Sequence, residues 1–198
     1  ESAPVANNDE FQDLADQCAR QLLDGPGADD PEALLAQDAP GTPGKTLQEI
    51  YESVINRIRE KIILARLLKV EGPAAGYVHH DGKTGVIFQA TGENGTAAVM
   101  RDVAMHIAAM KSSVVSPDAL DAAAVDTERE RLADEARDTG KPDNIIEKIV
   151  EGRMKVFYQE QGVLNAQQFV KEESKTVSQV LAESGLQAKA FARWVLGN

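Results

Sequence analysis

The sequence predicts a mixed fold of several helices and a few short strands, and three stretches carry that expectation. GYVHHDGKTGVIFQAT reads as a β-hairpin, with Tyr77 and Val78 on one arm and Val86, Ile87 and Phe88 on the other, joined through Asp81-Gly82. DALDAAAVDTERERLADEARDT and KPDNIIEKIVEGRMKVFYQE read as two long helices linked by GKPD, which makes an αα-hairpin. Apolar residues recur at helical spacing from Phe11 to Leu23. A chain of 198 residues buries a real core, and 42% hydrophobic with 27% charged residues is the composition of a soluble globular protein of one or two domains.

Taken in order, the opening ESAPVANNDEF lacks an initiating Met and reads as a trimmed fragment. Phe11, Leu14, Ala15, Cys18, Ala19, Leu22 and Leu23 then share one helical face, and Gly25 with Pro26 ends that helix. PEALLAQ is a short helix with Pro31 in its first turn, where a missing N–H costs nothing. DAPGTPGK is a Gly/Pro loop. From Thr46 to about Lys61 the residues Leu47, Ile50, Tyr51, Val54, Ile55, Ile58 and Ile62 keep helical period, after which ILARLLKVEG drifts towards a β-like composition. Ala97 to Met110 is a small-residue helix suited to tight packing.

The helix from Asp118 to Thr139 carries eight acids and three arginines, so most of its circumference faces water. Its apolar seam is thin: Leu120, Ala124, Val125, Leu132 and Ala136. Gly140 and Pro142 stop it. On the returning helix Ile145, Ile146, Ile149, Val150, Met154, Phe157 and Tyr158 recur at helical spacing. Gly152 interrupts that helix at a cost of about 1 kcal/mol relative to alanine, and close approach by another backbone is the expected reason. The end of the chain reads as strand or loop, a helix capped by Ser174, and a final strand AFARWVL.

The formal net charge of −11 argues against a nucleic-acid surface, which needs clustered Lys and Arg. No apolar run approaches the roughly 18 residues of a membrane span. A single cysteine, Cys18, forms no internal disulfide and reads as a small buried hydrophobe, which fits a reducing, cytoplasmic setting.

Catalytic signatures are missing. GTPGKT ends like a phosphate-binding loop, but Ala39 stands where the first glycine belongs and no strand precedes it. His79, His80 and Asp81 cluster at the hairpin tip, yet successive strand residues point to opposite faces, so the two histidines do not share a metal ion. They read as a presented surface instead. His106 lies among Ala104, Met105, Ile107 and Ala108 and reads as a packed structural histidine. No metal, cofactor or catalytic residue is expected.

Five blocks then resemble one family. VANNDEFQDLA, GYVHHDGKTGVIF, AMHIAAMKS, GKPDNIIEKIVEGRMKVFYQE and SKTVSQVL are similar, in order, to the signature blocks of bacterial elongation factor Ts. The resemblance implies an α+β fold: two subdomains of small antiparallel sheets packed with helices, plus a projecting antiparallel coiled-coil helical hairpin. It divides the chain into residues 1–113 as amino-terminal core, 114–160 as hairpin and 161–198 as the remainder of the carboxyl-terminal core. No counterpart of the family's amino-terminal ubiquitin-associated-like module, or of the carboxyl-terminal tail of several members, is found in these residues.

The resemblance also implies a function: a guanine nucleotide exchange factor that promotes GDP release from elongation factor Tu during protein synthesis, acting by binding and not by covalent chemistry. The alternative is a helical dimerisation or assembly module without exchange activity, and a homodimer is the second partner considered. The family's Thr-Asp-Phe-Val wedge corresponds to Ser2, Ala3, Pro4 and Val5, which lack its acid and its aromatic ring. Its Ile-Gly pair corresponds to Ile58 and Arg59, with arginine replacing glycine, and its hairpin histidine to His79. These seven are the expected partner-binding residues.

Overall fold

The computed structural model describes residues 3–80, 82–93 and 96–196, and within them the fold is mixed helix and sheet. The chain forms two compact units. The first holds the residues up to Glu71, His80–Thr84 and the end of the chain from Val195; the second holds Gly72–His79 and Gly85–Trp194.

In the first unit, α1 (Ala3–Ala6) is a single turn before α2 (Asp9–Asp24). The Asn8 side chain accepts hydrogen bonds from the Glu10 and Phe11 N–H groups and so caps α2. α3 (Pro31–Leu35) follows with Asp30 as cap, and α4 (Leu47–Ile58) begins with a reciprocal capping box between Thr46 and Glu49. Leu14, Cys18, Leu34, Leu35, Leu47 and Val54 form the core of these helices. Burial pushes the Cys18 thiol above its ordinary pKa, which keeps it a neutral, packed group. The GTPGKT loop closes through the Ala39 N–H donating to the Lys45 carbonyl and serves as the entry to α4.

Helix α4 stops before the expected Lys61. Arg59 takes the left-handed conformation (φ 58°) and its N–H closes the last turn on the Ile55 carbonyl. The β-like composition after it makes no strand. The Tyr51 hydroxyl donates to the Ile62 carbonyl at 2.5 Å, and Ile62, Leu64 and Leu67 lean on the helical core. Those side chains are anchored by helices, and among the described residues no strand pairs with this segment.

The second unit is built on a three-stranded sheet in the order β1-β2-β5, where β1 is Ala74–Val78, β2 Thr84–Gly92 and β5 Leu186–Val195. β1 and β2 pair antiparallel, Tyr77 opposite Val86 and Val78 opposite Gly85, so the expected hairpin forms. Its connection is longer than a two-residue Asp-Gly turn, and Asp81 lies outside the described residues. Val86, Phe88 and Ala90 alternate inward and meet Met100, Val103, Ala104 and Ile107 of α5 (Ala97–Met110). β3 (Gln168–Phe169) and β4 (Glu172–Thr176) form a small antiparallel pair, followed by α8 (Val177–Glu183). The cap of α8 is Thr176, with Gln179 completing the box; Ser174 sits inside β4 and does not cap.

Between α5 and β3 come α6 (Ala122–Arg137) and α7 (Asp143–Glu160), which pack on each other. Helix α6 is shorter than Asp118 to Thr139. Pro117–Ala119 is a 3-10 turn, and the Asp121 side chain caps the helix proper by accepting from the Ala123 N–H. The seam narrows accordingly to Leu132 and Ala136 with Val125 half-buried, against Ile146, Val150 and Met154; Leu120 precedes the helix and Ala124 is exposed. Arg129–Glu151 and Arg153–Glu135 ion pairs cross the seam. The base is clamped by Ser113 N–H to the Gly162 carbonyl and Leu164 N–H to the Val114 carbonyl. Gly162 is required there: its φ is +75° and a Cβ would lie 2.9 Å from the Ser113 Oγ.

Gly152 has no such reason. A Cβ at Gly152 would meet nothing within 4 Å, so the expected close approach inside the hairpin does not occur. The glycine lies on the solvent side of α7 because the buried stripe passes through its neighbours Val150 and Met154.

Candidate partner-binding site

Ser2 lies outside the described residues. Ala3 and Pro4 open α1, and Val5 and Ala6 behind them are buried. The Gln12 amide donates to the Ala6 carbonyl at 3.1 Å, and a Cβ placed on Gly82 would lie 3.3 Å from the Ala6 Cβ. The amino-terminal turn therefore packs beside the hairpin connection within the first unit. That neighbourhood carries no signal in the sequence, since Ala6 and Gly82 are small and far apart along the chain.

Ile58 is the last residue of α4, half-buried against the helical core, and Arg59 is exposed behind it. The left-handed backbone at Arg59 explains why an Ile-Gly pair suits a helix end: glycine adopts this conformation freely, whereas a side chain costs about 1–2 kcal/mol. Arginine tolerates that conformation here and projects a cation from the helix end.

His79 follows the last residue of β1 and is half-buried. Its Nδ1 lies 3.3 Å from the Tyr77 hydroxyl, and the two rings are 6.0 Å apart, tilted by 60°. Residues two apart along a strand share a face, so Tyr77 sits on the side to which His79 turns. The contact with the Tyr77 hydroxyl holds the His79 imidazole in place. His80 is exposed. Tyr77 was not among the expected site residues, although its spacing from His79 was visible in the sequence. Among the described residues, no group of three or more His, Cys, Asp or Glu is arranged to hold a metal ion.

His106, by contrast, is fully buried. The Val170 N–H donates to its Nδ1 at 3.2 Å, which leaves Nε2–H to donate to the Gln167 Oε1 at 3.1 Å. The Ser112 hydroxyl donates to the same oxygen. Burial holds His106 below the usual imidazole pKa, with the Gln167 hydrogen bond opposing in part. Both nitrogens are occupied, so this histidine is structural.

The comparisons with known proteins fall on one family. The profile described as Elongation factor TS matches residues 4–198. Elongation factor Ts of Hydrogenobaculum sp. (strain Y04AAS1) is 34% identical over 194 residues, covering 98% of this chain and 70% of that protein. Elongation factor Ts of Aquifex aeolicus (strain VF5) is 38% identical over 208 residues, with the same two coverages, and that of Trichlorobacter lovleyi is 37% identical over 209, covering 98% and 67%.

Proposed function

The chain belongs to the elongation factor Ts family of translation factors, and from that premise we propose that it releases GDP from elongation factor Tu by binding the nucleotide-free GTPase more tightly than the loaded one. A protein that binds one state better than another shifts the equilibrium by that difference in affinity and needs no covalent chemistry. The observation that carries the reading is the family match across nearly the whole chain.

Within this reading, His79 and Ile58 are the partner contacts, Arg59 adds a cation beside Ile58, and Ser2, Ala3, Pro4 and Val5 take the place of the family's wedge. His79 is supported by its place just beyond β1 and by the Tyr77 contact that orients its ring. Val5 supports only an indirect part in the resting fold, because it is buried and holds the turn that carries Ala3 and Pro4. Residues 1–113 and 161–198 serve as the two core subdomains and 114–160 as a coiled-coil hairpin, in a cytoplasmic protein. Among the described residues no helix is long and apolar enough to cross a membrane.

Calorimetry of the chain with elongation factor Tu, nucleotide-free and GDP-loaded, tests the proposal. Tighter binding of the nucleotide-free form is expected; equal affinity for the two forms overturns it, since such binding shifts no nucleotide equilibrium.

A further inference from the structure

A second apolar seam runs along α7. Ile145, Ile149, Gly152 and Val156 follow one another at steps of four, three and four residues, the heptad spacing of a helix that packs against another helix. It is turned by roughly a third of a turn from the buried stripe of Ile146, Val150 and Met154, and is about 16 Å long. Among the described residues it is only partly covered: Ile149 is half-buried against the α6–α7 core, but Ile145 is 36% exposed, Val156 is 51% exposed, and Gly152 opens onto empty space. An exposed glycine is costly in mid-helix and useful where a second helix must come close.

One flank is basic. Lys148 and Lys155 lie along one side of the seam, exposed and in no ion pair among the described residues. Arg153 lies along the other, tied to Glu135 of α6. This stands out on a chain of net charge −11. A second copy is a poor occupant. Two-fold pairing of the seam with itself gathers Lys148, Arg153 and Lys155 of both copies around one axis, which is repulsive. The other hairpin helix, α6, offers the acids Asp126 and Glu130 on exposed positions but no exposed large apolar residue beside them. The chain thus has acid without a seam and a seam with base.

We propose that the outer face of α7 docks an amphipathic helix of a different protein, one with an apolar heptad seam flanked by Asp and Glu. Gly152 admits its backbone and Lys148 and Lys155 pair with its acids. This does not depend on nucleotide exchange, which is assigned to other residues.

The test uses the full chain and two fluorescein-labelled synthetic helical peptides, alike in a leucine heptad seam, one flanked by Glu and the other by Lys, followed by fluorescence anisotropy. The Glu-flanked peptide should bind at least tenfold more tightly than the Lys-flanked one, and less tightly as salt rises. K148E/K155E should reverse that preference, and Val156→Glu should abolish binding of both peptides. All three substituted positions are exposed, so the variants keep the fold, which circular dichroism checks. Equal binding of the two peptides, no binding of either, or binding unaffected by Val156→Glu overturns the proposal. So does self-association of the chain in sedimentation that Val156→Glu abolishes, because the seam is then an interface between copies.

Discussion

Replacing Gly152 by alanine should stabilise the α6–α7 hairpin. In a helix interior alanine is favoured over glycine by about 0.8–1.0 kcal/mol, largely because the unfolded chain loses less freedom on folding. The structure sets nothing against that gain: a Cβ at this position meets no atom within 4 Å, and the φ is not left-handed. The hairpin core is small, with Met154, Leu132 and Ala136 buried and Ile146 and Val150 beside them, so local opening should report the change more faithfully than global melting. Amide exchange across α7 should slow by about fivefold, the factor that ~1 kcal/mol gives, while α5 exchanges as before. Unchanged or faster exchange in α7 would refute the reasoning, because it would mean that Gly152 already meets something the isolated chain conceals or that the helix is strained there.

Three further outcomes follow from named contacts. His106 is neutral in the fold, so its contribution is complete above the ordinary imidazole pKa of about 6.5 and is lost as pH falls below it, at up to about 1.4 kcal/mol per pH unit; urea unfolding at pH 7.5 and 5.5 should show that loss in the parent and a smaller one in His106→Gln. Arg59→Gly should raise stability by about 1 kcal/mol by relieving the left-handed backbone, read as a higher urea midpoint, and a lower midpoint would contradict the strain. Tyr77→Phe should leave the fold intact but lower the affinity for nucleotide-free elongation factor Tu by about two- to tenfold, since His79 loses the hydroxyl that orients it.

Periodic elements were legible in the sequence because their signals are local. The stripes of α2, α5 and α7, the Pro31 start of α3 and the pairing of β1 with β2 each depend on residues a few positions apart. Helix ends were less legible. Arg59 stops α4 through a backbone conformation that arginine seldom adopts, and Thr176 outcompetes Ser174 as a cap because Gln179 stands three residues beyond it. The residues after α4 look β-forming, but their apolar side chains found a helical core first. Gly152 misled for a different reason: its cost signals a partner, yet sequence does not say whether that partner lies within the chain. At the candidate site the place of His79 just beyond β1 was legible from the hairpin pattern. Its dependence on Tyr77 and the seating of α1 beside Gly82 needed three dimensions.

Nucleotide exchange is measured by stopped-flow release of fluorescent GDP from elongation factor Tu, with and without the chain. Release should accelerate with chain concentration and saturate, and the acceleration should be markedly smaller with His79→Ala at the same concentration. Release that stays at its intrinsic rate at every concentration of folded chain would contradict it.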